Sequence, residues 1–87
     1  MYGNWQETQL VLDLHQMSTA EARAWLDARI SRAPREVTQV LVIHGYRGGT
    51  ALQTMVRKQY RHPRVKQKLL GLNPGETILV LQKPVKR

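Results

Sequence analysis

Asp13 and His15 stand two residues apart in Leu10-Val11-Leu12-Asp13-Leu14-His15, a run that alternates like a strand. Residues i and i+2 of a strand project to the same face, so carboxylate and imidazole become neighbours. A carboxylate bonded to one imidazole nitrogen fixes the tautomer and leaves the other nitrogen as a base. The structural alternative has Asp13 satisfying only backbone groups in the Gln16-Met17 turn. It needs one partner or the other, because burying a lone carboxylate on an apolar strand is costly.

A second apolar run, Val40-Leu41-Val42-Ile43-His44, leads straight into Gly45-Tyr46-Arg47-Gly48-Gly49. Three glycines in five residues let the backbone turn left-handed and approach a ligand closely. A helix opening near Thr50 or Ala51 adds free amide groups and a partial positive charge, which suits an anion. Arg47 can grip a phosphate with two donors. Tyr46 offers a face for a nucleobase, a contact worth about 1–3 kcal/mol. The same residues also describe a strand-to-helix turn with a structural histidine and Tyr46 as a packing lid. His62, between Arg61 and Pro63, suits a loop or phosphate contact. Two histidines and one aspartate lack tight ligand spacing, so no bound metal is expected and no cofactor is evident.

Several elements must position these groups. Ser18-Thr19-Ala20-Glu21 reads as a capping box, opening a helix with Ala22, Trp25, Leu26 and Ile30 on one stripe, stopped by Pro34. Residues 38–43 are almost continuously apolar, as in an interior strand covered on both faces. Helical spacing returns over 50–60, with Leu52, Met55, Val56 and Tyr60 inward and Gln53, Arg57, Lys58 and Arg61 outward or at the edge. His62-Pro63 breaks it. Residues 65–72 fit a short strand or a helical turn. Asn73-Pro74-Gly75 is a turn, and 77–82 is a clear strand. The order β-α-β-α-β-β specifies an α/β (α+β) two-layer sandwich with a mixed four-stranded sheet and two helices. A right-handed crossover sets the first two strands parallel and delivers both histidines to one rim, where ligands of such sheets bind.

Eighty-seven residues make one domain, 1–87, with an arm at 1–8 and a basic tail at 84–87. There is no cysteine, which excludes disulfides, thiolate metal sites and a thiol nucleophile. No apolar run approaches the roughly 20 residues of a membrane span, and the start lacks signal-peptide character. A cytoplasmic monomer with no membrane partner is the expectation. Residues 1–43 carry four arginines against five carboxylates, whereas 44–87 carry ten cations against Glu76 alone. That asymmetry points to a polyanion, with nucleic acid first and an acidic protein or membrane surface second. A merely solvated basic face is the bland alternative.

Leu12-Asp13-Leu14-His15 with Ala20-Glu21-Ala22, then Val42-Ile43-His44-Gly45, Leu52, and a late strand after Gly75 carrying Thr77, Ile78 and Val80, resembles the small MutS-related (Smr) domain. The resemblance spans about residues 10–81. It implies a sandwich similar to the C-terminal domain of bacterial translation initiation factor three. It also implies binding and often cleavage of nucleic acid, by DNA nicking, RNA cleavage or ribosome-linked roles. Asp13 and His15 match the first family motif, implicated in cleavage; His44 and Gly45 match the start of the second, a phosphate-contacting loop. Two departures stand out: Gln16 replaces the usual glycine, and Tyr46-Arg47-Gly48-Gly49 changes the glycine register and adds one residue.

The resulting expectation is an endonuclease that nicks DNA or cleaves RNA. His15, oriented by Asp13, is its general base, and His44 positions or protonates the scissile phosphate, the two roles being exchangeable. Gly45, Tyr46, Arg47, Gly48 and Gly49 cradle a phosphate, and Arg57, Lys58, Arg61 and Arg64 track the backbone. The alternatives are a non-catalytic module for nucleic acid or ribosomes, and a protein–protein adaptor.

Overall fold

In the computed structural model, residues 9–45, 50–71 and 73–84 are described. The chain runs β1 (Gln9–Asp13), α1 (Thr19–Arg32), β2 (Gln39–Ile43), α2 (Ala51–Thr54) with a π-helical turn (Met55–Gln59), β3 (Val65–Leu70) and β4 (Glu76–Leu81). The sheet order is β1-β2-β4-β3; β1 and β2 are parallel, and β4 is antiparallel to both of its neighbours. The expected mixed four-stranded α+β sandwich is therefore present, and residues 65–70 resolve as a strand.

Helix α1 begins where its capping box says it should. Ser18 Oγ accepts from the Glu21 amide and Glu21 Oε1 accepts from the Ser18 amide, each at 3.1 Å. Such a cap contributes about 1 kcal/mol. Ala22, Leu26 and Ile30 then bury fully against Leu12, Leu14, Val40, Val42, Leu79 and Leu81, while Trp25 packs only partly. Each large aliphatic buried this way contributes about 1.5–3 kcal/mol. Met55, Val56 and Tyr60 close the core from the second helix, and Tyr60 donates to Asp27 at 2.7 Å, tying it to α1.

The other face of the sheet differs from expectation. Strand β2 is interior but buried on one face only: Val40 and Val42 are covered, and Leu41 and Ile43 are half-buried. Register aligns Val11, Leu41, Ile78 and Leu69 in one row across all four strands. Val11 and Leu69 at its ends are 52% and 40% exposed. An apolar run of five residues reads the same whether one face or two are covered.

The π-helical turn is a second departure from a plain helix. The Tyr60 amide reaches back five residues to the Met55 carbonyl at 2.7 Å. Lys68, entering from β3, donates to the carbonyls of Val56 (2.8 Å) and Tyr60 (2.7 Å), so this helix end has a cationic cap. Gly71 permits the close approach of β3 to β4: a Cβ there would lie 2.6 Å from Glu76 Cβ and 3.1 Å from its backbone.

Candidate functional site

Strand pairing decides where the site lies. Asp13 is in register with Ile43, and the Leu14 amide continues the ladder to the Ile43 carbonyl at 2.7 Å. His15 and Gly45 thus meet at the carboxyl rim, where a Cβ built on Gly45 would sit 3.7 Å from His15 Cβ. Alternation sends Leu12 and Leu14 into the core and Asp13 and His15 to the open face. The latter two side chains are 50% and 56% exposed.

There the two form one unit. His15 Nδ1 lies 2.5 Å from Asp13 Oδ1, and the His15 amide donates to the same oxygen at 3.1 Å. These hydrogen bonds hold the Asp13 carboxyl below the usual carboxylate range, the side-chain bond contributing most. An ionised carboxylate only accepts, so Nδ1 carries the hydrogen and Nε2 keeps its lone pair. A solvent-facing, tautomer-fixed imidazole of this kind can take a proton from water or a hydroxyl.

Two left-handed residues flank the rim, Gln16 with φ +72° and Gly45 with φ +73°. Glycine tolerates that conformation; glutamine adopts it against a steric cost of about 1–2 kcal/mol. Gln16 therefore keeps the turn that a glycine would favour.

His44 lies on the opposite face of the sheet from His15, which corrects the expected pairing of the two rings. It is 4% exposed, and both ring nitrogens are engaged: Nε2 with Thr77 Oγ1 at 2.8 Å and Nδ1 with the Gly45 carbonyl at 3.0 Å. Arg57 Nε also reaches Thr77 Oγ1 at 2.8 Å. A guanidinium only donates and a carbonyl only accepts, which fixes both ends of the chain; on a neutral ring, which burial favours, Thr77 supplies the middle link. Arg57 donates to Thr77, Thr77 to His44 Nε2, and His44 Nδ1–H to Gly45. Burial, and secondarily the Arg57 charge, push His44 below the ordinary histidine pKa despite the opposing bond to Gly45. His44 is thus a neutral strut for the loop root rather than an acid or base.

Two of the expected phosphate contacts are also corrected. Arg64 is 4% exposed and caged by carbonyls, with Nε on Gln82 (2.9 Å) and Nη1 on Ala33 (2.7 Å). Its Nη2 reaches Val37 and Pro34 at 3.2 and 3.3 Å. It ties the end of α1 to the approach to β2 and the exit of β4, out of reach of a ligand. Arg57 is turned inward, with Nη2 on the Glu76 carbonyl at 2.9 Å besides its bond to Thr77. Lys58 and Arg61 are exposed. Tyr46, Arg47, Gly48 and Gly49 lie outside the described residues.

Residues to which the motifs gave no site role complete the rim. The Gly75 carbonyl accepts from the amides of His44 (2.9 Å) and Gly45 (3.0 Å), and Gln53 donates to the Pro74 carbonyl at 2.8 Å. Asn73 Oδ1 in turn accepts from the Gly75 amide at 3.1 Å. Asn73-Pro74-Gly75 was readable as a turn, but its grip on the loop root depends on β4 lying beside β2. Thr77 carried a fainter signal, a hydroxyl on the core-facing parity of an aliphatic strand. Among the described residues no three His, Asp or Glu side chains gather as metal ligands, and no helix is long and apolar enough to cross a membrane.

The Smr domain family model matches residues 12–73, a span holding Asp13, His15, His44 and Gly45. The crystal structure of the Smr domain of Thermus thermophilus MutS2 superposes with a TM-score of 0.72 at 25% identity, covering 84% of this chain and 98% of that one. Comparison with curated proteins gives no match. Fold, motif order and matched span agree: the chain belongs to the Smr domain family.

Proposed function

We propose that this domain binds nucleic acid and cleaves its phosphodiester backbone, with His15 as general base and Asp13 as the group that orients it. The observation that carries the reading is the exposed Asp13–His15 pair with Nε2 left open toward solvent. Smr domains in general bind nucleic acid, and the cation excess of residues 44–87 suits a polyanion. In this reading Gly45, Tyr46, Arg47, Gly48 and Gly49 receive the phosphate beside His15. The base acts on water or on a ribose 2′-hydroxyl.

The test compares wild type with the Asp13→Ala/His15→Ala double variant on supercoiled plasmid and on structured RNA. Cleavage is expected to disappear while affinity stays within a few-fold. Undiminished cleavage by the variant overturns the assignment.

A second reading, a binding module without catalysis, draws on His44. With that imidazole bonded on both nitrogens, the described rim holds one acid–base group instead of two. A purified protein that binds with a steep salt dependence but leaves both substrates intact selects this reading.

A further inference from the structure

A groove of about 680 Å³ lies where the chain leaves the π-helical turn and enters edge strand β3, with Arg61, His62, Pro63, Val65, Lys66 and Lys68 on its walls. No carboxylate lines it. Among the described residues no lysine or arginine pairs with a carboxylate; the carboxylate contact to a basic side chain is the Asp13–His15 hydrogen bond. The groove's cations therefore have no carboxylate to compensate them; only helix-end carbonyls accept from Lys68 and, at 3.5 Å, from Arg61. Lys68 keeps its ammonium on the helix-end carbonyls, and burial and the Arg61 charge both hold its pKa below the ordinary lysine value. Arg61 and Lys66 stand exposed at the mouth. His62 is committed elsewhere: Nδ1 accepts from the Arg64 amide at 3.0 Å, so Nε2–H faces Ser31 Oγ at 3.1 Å.

Like charges crowded around a concavity cost free energy that a polyanion entering it recovers. Pro63 and Val65 give the same groove an apolar wall on which a sugar can rest. Its place in the sheet matters equally. Strand β3 lies at the edge opposite β1, three strand spacings away. Val65 begins β3 beside Leu81, whereas Asp13 lies level with Glu76 at the other end of β4. At about 4.8 Å per strand and 3.3 Å per residue, groove and catalytic pair stand roughly 20–25 Å apart on the diagonal.

We propose that this groove is an anchoring site for the phosphodiester backbone of nucleic acid, gripped by Arg61 and Lys66 at a distance from the Asp13–His15 pair. The proposal rests on the nucleic-acid reading above and adds a second contact to it.

The experiment is fluorescence anisotropy with a labelled DNA duplex and a labelled structured RNA, each of about 30 nucleotides per strand, between 50 and 200 mM salt. Arg61→Gln/Lys66→Gln is expected to weaken binding at least about 10-fold and to lower the log–log salt slope by up to about 2. Arg61→Lys/Lys66→Arg is expected to restore both. A loss on the RNA alone or on the DNA alone upholds the anchor and identifies its backbone. Unchanged affinity and slope on both probes overturn it, as does a wild type that binds neither. His15→Ala is expected to keep the wild-type slope, so a domain that binds but does not cleave refutes the catalytic reading and leaves the anchor standing.

Discussion

Asp13 Oδ1 accepts two hydrogen bonds from a single residue, His15, through its ring Nδ1 and through its backbone amide. One oxygen thus fixes both the turn that carries the histidine and the tautomer of its ring. Asp13→Asn replaces a pure acceptor with a group that also donates, and so releases the tautomer. Cleavage is expected to fall about 100-fold or more, with the fold intact, as read by initial rates on plasmid and RNA.

The same pair makes a signed prediction for acid stability. The folded Asp13 pKa lies below its unfolded value of about 3.9. Its contribution is present above about pH 4 and disappears as pH falls through the folded value. Both side chains are half-exposed, so screening keeps the effect small. Thermal melts of wild type and Asp13→Asn are expected to differ at pH 5 and to converge as the pH falls through the folded Asp13 value.

His44 carries the same sign at higher pH. Its folded pKa is depressed, chiefly by burial, so the unfolded chain takes the proton more readily below about pH 6.5. Stability is expected to decline as pH drops below that value. The NMR titration midpoint of the His44 ring is expected to lie below that of an unstructured histidine; a midpoint at or above it contradicts the neutral-strut assignment.

Arg64 separates a structural from a binding cation. Arg64→Ala leaves the carbonyls of Ala33, Val37 and Gln82 without their donor. The expected cost is about 3 kcal/mol or more, seen as a large drop in melting temperature. Lysine cannot reproduce the forked geometry, so Arg64→Lys is expected to recover only part. An Arg64→Ala protein with wild-type melting and weakened nucleic-acid binding would contradict this role.

Gln16 gives a stabilising test. Glycine removes the steric cost of φ +72° and loses some of the gain to unfolded-state entropy. Gln16→Gly is expected to stabilise the domain by about 0.5–1 kcal/mol in denaturant unfolding.

Much of this fold was legible because local signals agreed. The Ser18–Glu21 box, the core stripe of α1, the parallel pairing of β1 with β2 and the Asp13–His15 contact all follow from spacing within one element or one crossover. What escaped depends on long-range packing. Arg64 sits in a basic stretch like any surface arginine, and only the meeting of α1, β2 and β4 turns it inward. His44 ends its strand at the same rim as His15, but strand parity together with a hydroxyl from β4 commits its ring to the core side. The edge groove was equally hidden, since residues 65–72 fitted either a strand or a helical turn.

The most direct measurement of the central claim is the cleavage rate of His15→Ala on plasmid and structured RNA, without and with added imidazole. If the His15 imidazole is the base, the variant is slower than wild type by about 100-fold or more, and added imidazole restores part of the rate in proportion to its concentration. A variant that cleaves within twofold of wild type contradicts the account.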